Sequence, residues 1–177
     1  MRILLRKISD QQHELAIVRE GFAREGFARE GFAREGFARD SGAGESVVCE
    51  TRSYLRHDLL HYAVEAEARI EGGFWGSLAR GRTLAEMNDR ARMPPGSDAA
   101  EIATVEQVVG VLSGAAKGRS TADVVAAVER YGAATDGPVP AWLTEPFVAA
   151  VQERLRGLLG AWKATPYGET MALDWKP

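Results

Sequence analysis

The pattern of apolar and polar residues divides the chain into strand-like ends and a long helical middle. Aliphatic and β-branched residues cluster in short runs near the beginning, and apolar residues alternate with polar or small ones at the end, as expected for strands. The polar residues 9–12 predict a hairpin turn between the first two runs. The predicted strands span residues 2–8, 13–18, 45–52 and 170–175, and the last is expected to rejoin the N-terminal hairpin.

Between residues 53 and 165 the apolar positions recur every three or four residues, which predicts about five helices. Capping residues mark where these helices begin. The predicted helices are 54–70 (capped by Ser53, ended by Gly72 and Gly73), 83–90 (Thr83 and Glu86), 98–117 (Asp98 and Glu101), one opened by Ser120 and Asp123, and one capped by Thr144. Residues 74–80 are expected to form a short helical turn closed by Gly81. We therefore predict a single α+β domain, residues 1–177, in which a small antiparallel sheet (N-terminal hairpin, third strand, C-terminal strand) packs in two layers with these helices.

Residues 19–40 interrupt this pattern with a tandem repeat of the pentapeptide Arg-Glu-Gly-Phe-Ala, present in four copies. The repeat lies between the second and third predicted strands, so we expect it to be an insertion at the tip of a hairpin, where added residues are tolerated best. In a helix, each copy gains a Glu–Arg pair worth ~0.2–0.5 kcal/mol, but its glycine costs ~1 kcal/mol. An isolated helix is therefore unfavourable.

The positions of the phenylalanines determine how such a helix could be buried. Five residues turn a helix by about 140° beyond one full turn, so the phenylalanines spiral around it instead of forming one apolar face. A pentapeptide β-solenoid is excluded because four copies make only about one coil, and a solvated loop is the alternative. We predict a helix of about 30 Å that is held against the body or against another subunit by Phe22, Phe27, Phe32 and Phe37.

Composition and charge narrow the class of protein. The apolar fraction is 45%, the charged fraction 27% and the formal charge −3, with a pI near 5.7, so nothing draws the chain generally to nucleic acid or to an anionic membrane. No stretch approaches the ~20 apolar residues of a membrane helix. The single cysteine, Cys49, is expected to be a free thiol in a reducing cytoplasm, and it would need a nearby base to act as a nucleophile.

The strongest candidate for chemistry is the segment from His57 to Glu65. On a helix, His57, His61 and Glu65 lie at i, i+4 and i+8 along one line, and Asp58 lies beside them. Two imidazoles one turn apart and a carboxylate can hold zinc or another divalent metal and leave a position open for water. The alternative is the polar face of a surface helix, in which the histidines are solvated or cap neighbouring carbonyls and Glu65 pairs with Arg69.

This segment also carries two motif-level resemblances. His57-Asp58-Leu59-Leu60-His61 resembles the HDxxH half of the zinc motif in a coenzyme-Q biosynthesis family, which implies zinc and lyase chemistry. The family places a glutamate twelve residues after the second histidine, where this chain has Gly73. The doublet His57-Asp58 is also similar to that of HD-type phosphohydrolases, whose further ligands would correspond to His13 and Asp89.

Other parts of the chain resemble a group of bacterial proteins and contain a candidate pocket or partner surface. Residues 50–65, 73–76 and 83–89 resemble small uncharacterised bacterial proteins, which implies a shared α+β domain without an assigned activity. Phe74 and Trp75 stand between glycines and are candidates for a pocket or a partner surface. The alternative for them, as for Trp142, Trp162 and Trp175, is a place in the core.

Two functions follow from the sequence. The first is a small cytoplasmic binding protein that associates with itself through the repeat. The second is a metal-dependent hydrolase or lyase that uses the face formed by His57, Asp58, His61 and Glu65.

The repeat generates a direct test. We expect the protein with four copies to form a larger oligomer in solution than a variant with one copy. The reason is that one helix cannot bury all four phenylalanines against its own body. Light scattering on the two purified proteins measures this, with circular dichroism as the control for folding. If both proteins are monomers, the repeat has no role in assembly.

Overall fold

One antiparallel sheet collects strands from both ends of the chain in a computed structural model that describes residues 1–19, 39–40, 44–89, 97–114, 120–135 and 139–176. Within these residues the strand order is β3-β4-β2-β1-β5. The predicted pairing of the C-terminal strand with the hairpin is confirmed, since Leu5 stands opposite Met171. The strands are β1 (Arg2–Lys7), β2 (Gln12–Val18), β3 (Arg39–Asp40), β4 (Gly44–Glu50) and β5 (Thr170–Asp174).

The turn between β1 and β2 forms where the polar residues predicted it. The Ser9 hydroxyl accepts hydrogen bonds from the backbone N–H groups of Gln11 and Gln12, at 3.2 and 3.1 Å. Strands β2 and β4 also pair, with Val18 opposite Gly44. The repeat joins these two strands along the chain. Its first residue, Arg19, and its last two, which form β3, are described, but residues 20–38, with Phe22, Phe27, Phe32 and Phe37, lie outside the described residues.

Six α-helices follow in the described ranges, and the α+β class predicted from the sequence is confirmed. None of these described helices combines the length and apolar character that a membrane span requires. A π-helical turn, Thr51–Leu55, connects β4 to the first of them. The helices are α1 (Arg56–Ala68), α2 (Phe74–Ala79), α3 (Leu84–Asn88), α4 (Ser97–Gly114), α5 (Thr121–Thr135) and α6 (Glu145–Ala164).

Local capping chemistry accounts for several of these boundaries. Thr83 and Glu86 form a reciprocal capping box at α3, and Ser120 and Asp123 do the same at α5. The Thr144 side chain accepts from the backbone N–H of Phe147 at the start of α6. These three predictions are confirmed.

Two predicted helix ends are wrong. Ser53 does not cap α1, because the chain is already π-helical there and the Ser53 hydroxyl donates to Glu50 instead. The C-terminal end of α1 comes before Gly72 and Gly73, at Arg69, which adopts a left-handed conformation with φ 53°. The Glu101 carboxylate, predicted to act at the start of its own helix, accepts from the backbone N–H of Gly72 at 2.7 Å.

Helix α1 is the centre of the helical layer. It packs against α2, α4 and α6 and follows directly from the sheet, so it is buried around most of its circumference. Seven consecutive residues, from Leu59 to Glu65, are buried, whereas a surface helix buries only one stripe. Two of the seven, His61 and Glu65, are polar and therefore need partners inside the protein.

The first residue of the repeat anchors the sheet to the helical layer. Arg19 donates from its guanidinium to the carbonyl oxygens of Leu78 and Arg82, both at 2.6 Å. It also pairs with Glu45 at 2.9 Å, and both side chains are largely buried. The second Glu45 oxygen accepts from the backbone N–H of Leu84 at 2.7 Å. This network ties β4 to the end of α2, to the start of α3 and to the residues between them.

His13 is the buried histidine of the sheet. It is 0% exposed, its Nδ1 lies 3.2 Å from the Thr51 hydroxyl, and its ring meets the edge of Trp162. Its Nε2 is buried and makes no hydrogen bond to the described residues. Burial lowers the pKa of His13 to about 4, so the folded protein holds this ring neutral.

This burial predicts how stability depends on pH. Between pH 6.5 and about 4 the unfolded chain binds a proton at His13 that the folded protein does not, so the folded state loses stability as the pH falls through this range. Over this pH range we expect the free energy of unfolding of wild type to fall by up to about 3 kcal/mol more than that of His13→Gln, whose side chain stays neutral. Urea unfolding of both proteins at about pH 7, 5.5 and 4.5 measures the difference. The prediction is contradicted if the free energy of unfolding depends on pH in the same way in both proteins.

Candidate metal site

The first turns of α1 bring two histidines together. The ring centroids of His57 and His61 are 4.6 Å apart, with the rings inclined at 68°. His57 is exposed to solvent, whereas His61 is 3% exposed. The pair therefore spans the boundary between solvent and core, with one ring accessible and the other held by its surroundings.

A third potential ligand comes from α4, which packs alongside α1. The Glu106 carboxylate lies 3.4 Å from His61 Nε2 and is about half exposed. One ligand atom from each of His57, His61 and Glu106 lies within 4.8 Å of the others. Within the described residues, this is the group of histidine and carboxylate side chains close enough to share an ion.

Glu65, the carboxylate predicted to complete the site, stands behind His61 instead of beside His57. Its Oε1 lies 3.4 Å from His61 Nδ1, on the opposite side of the ring from Glu106. Its Oε2 accepts from the backbone N–H of Trp75 at 2.9 Å. Gly73 makes room for this approach, since a Cβ there would come within 2.4 Å of Glu65 Oε2. The structure therefore brings Glu65 to the site as a partner of His61.

The alternative of a solvated polar face is wrong for two of the three residues of the predicted line. His61 and Glu65 are 3% and 0% exposed, and Arg69 lies beyond the end of α1, where its backbone caps the helix. Only His57 has the exposure expected of a surface histidine. Periodicity alone missed this because α1 is buried on several sides.

The electrostatics of the buried pair follow from its surroundings. Burial acts to lower the pKa of His61, but the carboxylates of Glu106 and Glu65 outweigh it and raise that pKa to about 9. Burial also raises the pKa of Glu65, against the opposing effects of His61 and of the backbone N–H groups of Trp75 and Gly76. The imidazole is therefore held between two carboxylates, one on each nitrogen.

The remaining polar residues of this region behave differently. Asp58 is outside the three-residue group, and burial raises its pKa to about 7 although the charge of His61 opposes this. The pKa of His57 is lowered by burial and by His61, with Glu106 opposing. Burial, and then the charge of Asp58, raises the pKa of Cys49 to about 11, so its thiol is not activated for nucleophilic attack.

Phe74 and Trp75 separate in the structure. Trp75 is 1% exposed and belongs to the core, so the expectation of a pocket or partner surface is wrong for it. Phe74 is half-buried, packs against the edge of Trp75, and has its ring centroid 6.0 Å from that of His61. The Phe74 side chain is therefore an apolar neighbour of His61.

A cleft of about 230 Å³ lies elsewhere, lined by Ile70, Ala100, Glu101, Thr104, Pro140 and Trp142. It shares no residue with the histidine group, and its one carboxylate already accepts from Gly72. The histidine group and the apolar cleft are thus different places.

Glu106 is the residue that the sequence reasoning missed. It is separated from His61 by 45 residues and belongs to another helix, so no spacing rule connects the two. The available signal was the apolar stripe of α4, in which Ile102, Val105 and Val109 turn toward the core. The stripe places Glu106 at the border of the buried face, but it does not say which helix lies opposite.

The resemblances stated from the sequence gain no further support here. His13 lies in the sheet, and neither His13 nor Asp89 belongs to the group formed by His57, His61 and Glu106. Comparisons with protein-family models, with curated proteins and with solved structures give no match to this chain.

Proposed function

We propose that this protein binds a divalent transition metal through His57, His61 and Glu106 and acts as a metal-dependent hydrolase or lyase. The single observation that carries the proposal is the convergence of these three side chains from two helices, with ligand atoms within 4.8 Å of one another. Two imidazoles and one carboxylate form a donor set that suits zinc.

The state of His61 supports the same interpretation. Its Nε2 is buried and faces the Glu106 carboxylate at 3.4 Å, without a hydrogen bond of good geometry to the described residues, which is uncommon for a polar atom in the core. A metal ion held by both side chains would satisfy this nitrogen. The exposed His57 and half-exposed Glu106 leave a route for the ion to enter from solvent.

Three protein ligands leave at least one coordination position for water or substrate. When bound in such a site, zinc lowers the pKa of a coordinated water toward neutrality, which supports hydrolysis or proton transfer. This chain's own contribution is to orient the imidazoles and to place the apolar Phe74 ring beside His61.

The self-association expected from the repeat remains a prediction. It depends on Phe22, Phe27, Phe32 and Phe37, which lie outside the described residues. A cytoplasmic location and the absence of nucleic-acid and membrane partners likewise stay predictions from composition.

Zinc titration of the metal-free protein tests the proposed site. We expect one zinc ion per chain and a loss of affinity of more than about 100-fold for His57→Ala or Glu106→Gln, because removing a direct ligand costs more than the roughly 10–100-fold typical of outer partners. Isothermal titration calorimetry measures both quantities. Saturation at about 100 times the dissociation constant should also stabilise wild type by about 2.7 kcal/mol.

The matched control is Glu129→Gln, which removes an exposed carboxylate from α5 and should bind zinc like wild type. If wild type takes up no stoichiometric zinc, or if Glu106→Gln binds as tightly as Glu129→Gln, the proposed site is wrong.

A further inference from the structure

Glu65 occupies a position that the three proposed ligands do not explain. It is a glutamate with 0% exposure, four residues after His61 on the same helix. Its carboxylate is divided between two tasks: Oε1 faces His61 Nδ1 at 3.4 Å, and Oε2 accepts from the Trp75 backbone at 2.9 Å. A buried charge is costly unless it is hydrogen-bonded, so both contacts matter to the folded state.

The geometry around His61 separates the roles of its two nitrogens. Nδ1 faces a carboxylate in the core, whereas Nε2 faces Glu106, and the ring of His57 lies 4.6 Å away, centroid to centroid. An ionised carboxylate only accepts hydrogen bonds, so it favours a proton on the nitrogen that faces it. Glu106 acts on Nε2 in the same way, but its carboxylate is half exposed and screened by water, whereas that of Glu65 is fully buried. The neutral imidazole therefore keeps its proton on Nδ1 and presents a lone pair at Nε2.

We propose that Glu65 is a positioning residue that holds the proton of His61 on Nδ1 and thereby leaves Nε2 as the metal-binding nitrogen. This inference rests on the proposed metal-binding function, and it adds a residue that touches neither metal nor substrate. Carboxylates in this relation to a ligating histidine fix both the tautomer and the orientation of the ring.

The backbone of α2 fixes the carboxylate in turn. Gly73 lets Glu65 approach closely, since any larger residue there would place a Cβ 2.4 Å from Oε2. Trp75, whose backbone N–H donates to Oε2, is itself anchored in the core. A chain of contacts therefore runs from the core through Glu65 to the inner face of the proposed site.

Glu65→Gln is the sharpest test because it preserves the shape of the side chain. The backbone N–H of Trp75 can only donate, so the oxygen of the new side-chain amide must accept that bond and the amide NH₂ must face His61 Nδ1. The neutral imidazole would then carry its proton on Nε2. We expect a loss of zinc affinity of roughly 10–100-fold with the fold retained.

Two measurements make the result decisive. The ¹⁵N chemical shifts of the His61 ring, recorded without metal at a pH where the ring is neutral, should indicate Nδ1–H in wild type and Nε2–H in the variant. Calorimetric titration with zinc then gives the affinities. An Nε2–H tautomer in wild type, an unchanged tautomer in the variant, or a changed tautomer with unchanged zinc affinity would each overturn the proposal.

A second pair of variants covers the case in which Glu65→Gln does not fold. Gly73→Ala displaces the carboxylate from outside the site, whereas Gly110→Ala adds a methyl group to open space on α4, where no atom beyond the adjoining backbone of the helix lies within 4 Å. Zinc affinity should fall at least about 10-fold in the first and stay unchanged in the second. Equal affinity in the two would contradict the role of Glu65.

Failure of this proposal and failure of the proposed function give different results. If wild type binds no zinc but shows the expected tautomer, metal binding is wrong and the contact between Glu65 and Nδ1 stands. If wild type binds zinc and neither Glu65→Gln nor Gly73→Ala weakens binding, the metal site stands and the positioning role is wrong.

Discussion

The burial of one carboxylate is the constraint around which the helical layer is arranged. Glu65 lies on a helix that packs against several others, and an ionised carboxylate without partners in such a place would be very costly. The protein satisfies it with a backbone N–H at the beginning of α2 and with the imidazole of His61. These contacts fix the approach of α2 to α1 and require a glycine at position 73.

The same constraint explains why the proposed site is half in the core and half in solvent. His61 cannot move freely, because its ring lies between Glu65 and Glu106 and beside Phe74. His57 and Glu106 retain access to solvent. A site of this kind has one orienting ligand and two accessible ones, so an ion can enter without opening the core.

The features that depend on neighbouring residues were the most predictable from the sequence. The capping boxes at Thr83 and Ser120 and the Ser9 turn arise from hydrogen bonds spanning two or three residues, and such bonds have recognisable residue spacing. The ends of α1 were missed for a related reason. A π-helical turn has no comparable sequence signal, and a left-handed arginine takes the place usually given to glycine.

The composition of the candidate site was only partly predictable. The spacing of His57 and His61 is a local property of one helix, and the structure brings them together as expected. Which carboxylate faces which nitrogen depends on how α1, α2 and α4 pack, and that is set by contacts distant in sequence. Glu65 therefore lies on the same face of α1 as His57 and His61, as predicted, but it faces Nδ1 of His61 in the core instead of the proposed metal position.

The anchoring of Arg19 bears on how many units the neighbouring pentapeptide array can hold. Every unit opens with arginine, so a chain with more or fewer whole units still has an arginine directly after Val18. The junction with the carbonyl oxygens of Leu78 and Arg82 is thereby preserved at any array length. The number of units is therefore not constrained by this attachment point.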